Sequence, residues 1–329
     1  MSVNKSKKRI VLVDFMHLMH KLYNVQPLST TCKIGGVVET VDTTMPTITI
    51  KSIFKYSGRG DYPIGVFLEG GNSVRKAYFK AMNSTEDYKG SRPKQKNSFY
   101  KGTDLTVNLL NNGGVRLYRV AGKEADDLIG SAVRKFKEEY PDYAIDIVTN
   151  DSDLLPLVDS QVSVYMRATR QYSEPGCPVL NKYYQVTPDS WEDFLGYSSK
   201  YKNYYIPFNT MLLFKMIKGD KSDDVAAKFK DQETGRTLEI KGYGAKKYSS
   251  IMEDMENDYV DFDIFRYGVD FDTVMKPVLL NYFTEDEVKV MRYIYKGICL
   301  DMNIGIQKPL LMDEGRVQKA ILPLNIHLR

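Results

Sequence analysis

The sequence predicts an α/β fold with a mostly parallel sheet flanked by helices, and three observations carry that expectation. First, the short apolar runs RIVLVD, IGVFL and AIDIV have strand length and lack polar alternation, as strands buried on both faces do. Second, segments of helical periodicity separate such runs, and strands that alternate with helices give parallel strands. Third, Asp14, Glu69 and Asp151 stand just after three of the runs. In open α/β sheets the ligand site lies at the carboxyl ends of the strands.

The elements follow in order. Arg9–Asp14 is a first buried strand and Phe15–Tyr23 a helix behind it. Ile48–Tyr56 is expected to be helical despite its β-branched residues, and Ile64–Leu68 is a second strand. Residues 72–102 are rich in Lys, Arg, Tyr, Asn and Ser with little apolar periodicity, which predicts an exposed, mobile segment. Val115–Val120 is a third strand. The strongest helix is Ala125–Tyr140, with Leu128, Ile129, Ala132, Val133, Phe136 and Tyr140 at helical spacing and Pro141 as its stop. Ala144–Val148 and Gln161–Met166 are further strands. Arg167–Thr187, with Pro175, Gly176 and Pro178 at its centre, reads as a hairpin, and the chain is mainly helical from Pro188 onward.

Composition bounds the function. A chain of 329 residues with 43% apolar content has room for one large or two modest domains. No apolar run approaches the ~20 residues of a membrane span, so no membrane partner is expected. The basic start MSVNKSKKR leads into a strand and not into a secretory apolar region. Cys32, Cys177 and Cys299 are widely spaced, form no zinc pattern and suggest reduced thiols. A cytoplasmic protein is expected. Lys and Arg number 46 against 42 acids, a net charge of +4. Ten of those acids lie in short clusters, so the remaining surface is more basic than the net charge says. A basic surface around an acidic centre suits a polyanion held through its phosphates; composition alone favours a mildly basic enzyme with scattered surface lysines.

The clusters are Asp14, Glu69, Glu124/Asp126/Asp127 in GKEADDLIG, Asp151/Asp153 in VTNDSDLL, and Asp220, Asp223 and Asp224 in IKGDKSDD. Like charges brought together raise one another's pKa. Hard divalent cations relieve that, and oxygen-rich sites suit Mg²⁺ or Mn²⁺. Asp151 and Asp153 can hold two different metals, or one metal from two sides; a strand-end turn is the plainer reading of the same residues. Acids in the first turn of the helix after Glu124 also favour the helix dipole. Asp220 and Asp223 share a face on a helical turn. The chain has only three histidines, His17, His20 and His327, and they are expected to be structural or exposed rather than catalytic.

Taken together, the motifs resemble the structure-specific 5′ nucleases, the flap endonuclease and 5′–3′ exonuclease family that includes stand-alone phage exonucleases and phage ribonuclease H. GKEADDLIG is similar to their Glu-Ala-Asp-Asp signature and TNDSDLLPLV to their strand-end Asp-x-Asp motif. IKGDKSDDV resembles their Gly-Asp-x-x-Asp motif, IKGYGAKKY their helix–hairpin–helix-like DNA clamp, and EDYKGSRPK the Tyr-Lys-x-x-Arg stretch of their arch. Order and spacing agree from about residue 9 to residue 300.

The resemblance implies a PIN-like α/β nuclease core over residues 1–190, a helical arch within 72–102, and a mainly helical DNA-binding region over 191–329 with its hairpin near 242–247. It implies two Mg²⁺ ions, with Mn²⁺ as a substitute. Asp14, Glu69, Glu124, Asp126 and Asp151 would surround the first, supported by Asp127. Asp153, Asp220 and Asp223 would hold the second, with Asp151 near both. Two ions about 3.5–4 Å apart clamp an in-line phosphoryl displacement. Lys89 would touch the scissile phosphate and Arg92 the same or the next one. Arg75 and Lys76 would add phosphate contacts, and Tyr88 would stack on a base at the junction. Gly242, Gly244, Lys246 and Lys247 would hold the duplex backbone, with a monovalent cation at that hairpin in some family members.

The implied substrate is DNA with a 5′ flap, a nick or a free 5′ end. RNA–DNA hybrids are a further substrate, replication proteins are partners, and the setting is the host cytoplasm if the chain is phage-encoded. Three features depart from the pattern. Glu69 stands where Asp is usual, Asp224 stands where Asn is common, and Val225–Ile240 is a long separation between the last two motifs. Two other readings remain: a DNA-junction-binding protein with weakened catalysis, and an RNA-cleaving PIN-type nuclease, which usually lacks an extension like residues 190–300.

Overall fold

The computed structural model describes residues 8–22, 29–34, 37–82, 88–170, 179–324, 326 and 328. They form two compact units. One comprises Met1–Gly71, Pro93–Asn150 and Asn303–Arg329; the other comprises Asn72–Arg92 and Asp151–Met302. The units interleave along the chain, which leaves the functional division expected at residue 190 as a proposal.

The first unit is built on four parallel strands in the order Arg116–Tyr118, Ile64–Phe67, Arg9–Asp14, Ala144–Val148. Ile10, Val11, Leu12 and Val13 are at most 3% exposed, so the central strand is covered on both faces. Their burial is why the run shows no alternation. Helix Ala125–Glu139 buries Leu128, Ile129, Ala132, Val133 and Phe136, the stripe its periodicity predicts. Helix Thr44–Tyr56 begins earlier than the expected Ile48 and buries Met45, Ile50, Ile53 and Phe54. Parallel strands with covering helices are the expected α/β arrangement. The strand Arg116–Tyr118 is shorter than the expected Val115–Val120. The hairpin Ser29–Ile34/Val37–Asp42 adds an antiparallel pair.

The second unit is mainly helical, as expected after Pro188. It also carries the antiparallel pair Val162–Arg170 and Leu180–Val186, in register from Val164↔Val186 to Arg170↔Leu180. That pair matches the expected hairpin, whose centre at 171–178 lies outside the described residues. Helices Met211–Lys218, Ala245–Asn257 and Glu285–Ile298 contribute to its core, with Met211, Leu212, Leu213, Tyr248, Met252 and Ile294 fully buried. Val225–Ile240, the long separation, contains a short hairpin, Lys228–Lys230 paired with Thr237–Glu239.

Residues 72–102, expected to be exposed with little apolar periodicity, hold helix Val74–Ala81 and the start of helix Asn97–Asn112. Ser73 caps the first by accepting the Arg75 backbone N–H at 3.2 Å. Within 72–102 these helices bury Phe79 and Phe99 as their main apolar anchors. One anchor per helix is too sparse to register as periodicity.

Cys299 is a free, half-buried thiol. Cys177, His327 and the side chains of Cys32 and His20 lie outside what is described. Among the described residues no helix is long and apolar enough to cross a membrane.

Candidate metal centre and nucleic-acid interface

Strand register assembles the first acidic group. Asp14 pairs with Phe67 and Val13 with Val148, so Asp14, Glu69 and Thr149 lie at one edge of the sheet. This is the carboxyl edge, where α/β sheets place their ligands. Thr149 Oγ1 donates to Asp14 Oδ2 at 2.8 Å, and the His17 backbone N–H donates to Asp14 Oδ1 at 3.2 Å. Glu69 is half-buried on a loop that Gly70 pins. The Gly70 N–H donates to Lys123 O at 2.9 Å, and a Cβ at Gly70 would lie 1.7 Å from Val120 O. No other residue fits that approach.

Glu124, Asp126 and Asp127 stand at the start of helix Ala125–Glu139. Glu124 is its N-cap, and Glu124 and Asp127 form a reciprocal capping box; the Glu124 N–H donates to Asp127 Oδ2 at 3.1 Å. Capping therefore accounts for two of the three acids. Asp14, Glu124, Asp126 and Asp127 are all at least nine-tenths buried. Buried carboxylates are costly without positive charge, and this all-oxygen donor set fits a hard divalent ion.

The second group lies on two turns of the other unit. Asp151 caps the 3₁₀ turn Ser152–Leu157 by accepting the Asp153 N–H at 2.9 Å. Asp220 follows Gly219, whose φ of +69° ends helix Met211–Lys218. A Cβ at Gly219 would lie 2.4 Å from Val225 O, so the turn that delivers Asp220 requires glycine there. Asp220 and Val225 close the turn by exchanging backbone hydrogen bonds of 2.8 Å, and the Asp223 N–H donates to Asp220 O at 3.2 Å. Asp153, Asp220 and Asp223 are 4–6% exposed.

Sequence reasoning missed what holds this group together. Lys215, buried on helix Met211–Lys218, donates from Nζ to Asp153 Oδ1 and, at 2.6 Å, to Asp220 Oδ2. Burial alone would raise the Asp220 pKa; Lys215, Ser222 and Lys200 reverse that and hold it well below the usual carboxylate range. Desolvation also opposes charge on Lys200, but Tyr201, Asp220 and Asp151 outweigh it and move its pKa up. The available signal was a lysine inside the apolar run MLLFKMI.

The arch residues converge on the same turn. Tyr88 Oη donates to Asp223 Oδ2 at 2.9 Å, Arg92 donates to Asp223 Oδ1, and Lys89 Nζ lies 3.5 Å from Asp223 Oδ2. Ser91 donates from N and Oγ to Asp224 at 2.8 and 2.7 Å. Lys89 itself has a φ of +56°, and its N–H donates to Asp223 O at 2.9 Å. Two expectations are corrected. Tyr88 is 4% exposed with its ring stacked on Phe79, so it presents no open face to a base. Arg75 is 5% exposed, whereas its neighbour Lys76 is exposed.

The hairpin region has a different chemistry. Gly244 caps helix Ala245–Asn257, and Gly242, Lys246 and Lys247 are exposed around it. Between the glycines, Tyr243 is buried and donates to Glu287 Oε1 at 3.0 Å. Lys247 Nζ sits 3.8 Å from the Tyr243 ring centroid, and Lys218 Nζ donates to Tyr243 O at 2.7 Å. A helix N-terminus flanked by exposed lysines suits a phosphate.

Among the described residues no three acidic, histidine or cysteine side chains stand ready around one ion. There is a physical reason: Lys215, Arg92, Tyr88, Thr149 and the capping amides already engage carboxylate oxygens.

The profile of the 5′–3′ exonuclease, N-terminal resolvase-like domain matches residues 9–185. The 5′-3′ exonuclease of Mycoplasma pneumoniae is 29% identical over 182 residues, covering 54% of this chain and 51% of that protein. DNA polymerase I of Lactococcus lactis subsp. cremoris is 27% identical over 138 residues, covering 42% of this chain and 14% of that protein. The chain therefore spans about half or less of the curated relatives' own length. Among solved structures, a bacteriophage T5 flap endonuclease variant in a pseudo-enzyme–product complex with DNA and metal ions superposes with a TM-score of 0.55. It is 12% identical, and the match covers 97% of this chain and 95% of that one. The T5 protein co-crystallised with metal ions gives 0.53 at 14% identity, covering 96% and 93%. These likenesses carry the fold.

Proposed function

We propose a function from one premise: the chain belongs to the family of the 5′–3′ exonuclease N-terminal, resolvase-like domain. It is a divalent-metal-dependent phosphodiesterase that acts as a 5′–3′ exonuclease and flap endonuclease on branched or nicked DNA. The carrying observation is the burial of Asp14, Glu124, Asp126, Asp127, Asp153, Asp220 and Asp223. Such burial in two groups is hard to reconcile with a purely structural role. The relatives named exonuclease, and the T5 structures solved with metal ions and DNA, support this reading.

Asp14, Glu69, Glu124 and Asp126 would hold one ion, with Asp127 orienting the helix start. Asp151, Asp153, Asp220 and Asp223 would hold another. When bound, such ions supply a hydroxide nucleophile at neutral pH and stabilise the leaving oxygen. Mg²⁺ is the proposed physiological ion, with Mn²⁺ as its substitute. Arg92 and Lys89 leave Asp223 for the phosphate, where they offset charge that builds in the transition state. Lys76, Lys246, Lys247 and the amides near Gly242 and Gly244 grip the duplex backbone without reading sequence. RNA in RNA–DNA hybrids is a further proposed substrate, which fits removal of primers during replication.

The test is Asp153→Asn under single-turnover conditions with Mg²⁺. Cleavage of a flap duplex is expected to fall by about two orders of magnitude or more, with DNA affinity close to wild type. Full activity in that variant contradicts the reading. Tight binding without cleavage in the wild type, with either Mg²⁺ or Mn²⁺, favours a junction-binding protein and makes Glu69 the first residue to revert to Asp.

A further inference from the structure

We infer that Lys215 is a built-in counter-ion that holds Asp153 and Asp220 together in the metal-free protein and gives way when a divalent cation enters. The inference rests on the metal-dependent reading above and adds a residue that the reading does not use.

The geometry carries the argument. The Lys215 side chain is 3% exposed, and its Nζ contacts carboxylate oxygens from two separate turns, one on Asp153 and one on Asp220 at 2.6 Å. A buried ammonium is tolerated only when paired and hydrogen-bonded, and two carboxylates meet that need. The third acid of the group, Asp223, is matched separately by Arg92 and Lys89. Asp153, Asp220 and Asp223 are thus matched by three cations.

A divalent ion on Asp153 and Asp220 would meet an ammonium already bound to the same carboxylates. Two cations on one pair of carboxylates repel each other in a buried place where screening is weak. One of them must withdraw. Lysine suits the exchange because it is a compact point charge on a four-carbon flexible stem, whereas a planar arginine fork would lock the pair. The cost of displacing Lys215 lowers the apparent metal affinity by the fraction of molecules in which the lysine is already withdrawn.

Lys215→Met separates this role from a purely structural one, because the two predicted effects have opposite signs. Without metal the variant leaves Asp153 and Asp220 without their lysine, and its unfolding midpoint is expected to drop below wild type. With Mn²⁺, followed by the loss of the free-ion EPR signal, its affinity is expected to rise at least about tenfold. The rise in unfolding midpoint on adding Mn²⁺ should be larger than in wild type. Asp153→Asn, as control, should lose affinity.

Mn²⁺ affinity in Lys215→Met equal to or below wild type would overturn the inference while leaving the metal-dependent reading intact. If neither wild type nor Lys215→Met takes up Mn²⁺, both fall. Should Lys215→Met not fold without metal, the wild-type protein carries the test. The lysine ammonium NMR signal that is absent in Lys215→Arg is expected to move on saturation with Mg²⁺. A signal that stays in place at saturating Mg²⁺ would equally overturn the inference.

Discussion

Arg75 and Lys76 are adjacent in sequence yet have different jobs. Arg75 is almost fully buried and Lys76 is exposed on the same helix. Arg75→Ala is expected to destabilise the fold, because it strips packing and polar contacts from a buried position. Lys76→Ala should leave stability within about 0.5 kcal/mol but weaken DNA binding and reduce its salt slope by about one. Urea unfolding and binding titrations at several salt concentrations check the pair. Equal effects of the two substitutions on the salt slope would contradict it. Arg92 and Lys89 belong to a second class, cations resting on a carboxylate in the absence of DNA. Arg92→Ala is expected to lower kcat by about 10²-fold with a smaller change in KM. A change confined to KM would show that Arg92 only binds.

At the scale of elements, the capping box of helix Ala125–Glu139 ties fold to site, because the acids that start the helix are the proposed ion ligands and their support. Asp127→Ala is expected to cost about 1 kcal/mol, read as a shift in the unfolding midpoint without metal. Helix Val74–Ala81 gives a pH signature. Burial, with Tyr293 adding to it, pushes the Tyr78 hydroxyl up to about 12, and that hydroxyl donates to Tyr293 O at 3.1 Å. The unfolded chain releases this proton near pH 10. The contribution to stability is therefore whole below about pH 10 and is lost as pH rises towards 12. Tyr78→Phe should lose less stability than wild type between pH 9 and pH 12 in urea titrations; parallel losses would contradict the assignment.

These elements also show what the sequence makes legible. Arg9–Asp14 and Ala125–Glu139 were readable because burial imposes a continuous apolar run on one and a helical stripe on the other. Helix Val74–Ala81 was not, because its buried face consists of Phe79 and an arginine. Lys215 stayed hidden for a related reason. Its partners are 62 residues and five residues away in sequence, and no local pattern announces a lysine that folds inward.

Across the whole molecule, nine acids but only two cations, Arg75 and Lys215, are buried among the described residues, so the surface is more basic than the net charge of +4 says. That distribution predicts DNA affinity that falls steeply with salt, with a slope set by the number of phosphates contacted. The central claim, metal-dependent cleavage at a 5′ end, is tested most directly with a 5′-labelled flap duplex incubated with Mg²⁺, with EDTA, and with the Asp153→Asn variant. The account predicts short labelled products in Mg²⁺ alone, and none with EDTA or the variant. Products that form equally in EDTA, or no products with Mg²⁺ or Mn²⁺ from a protein that binds the flap, would contradict it.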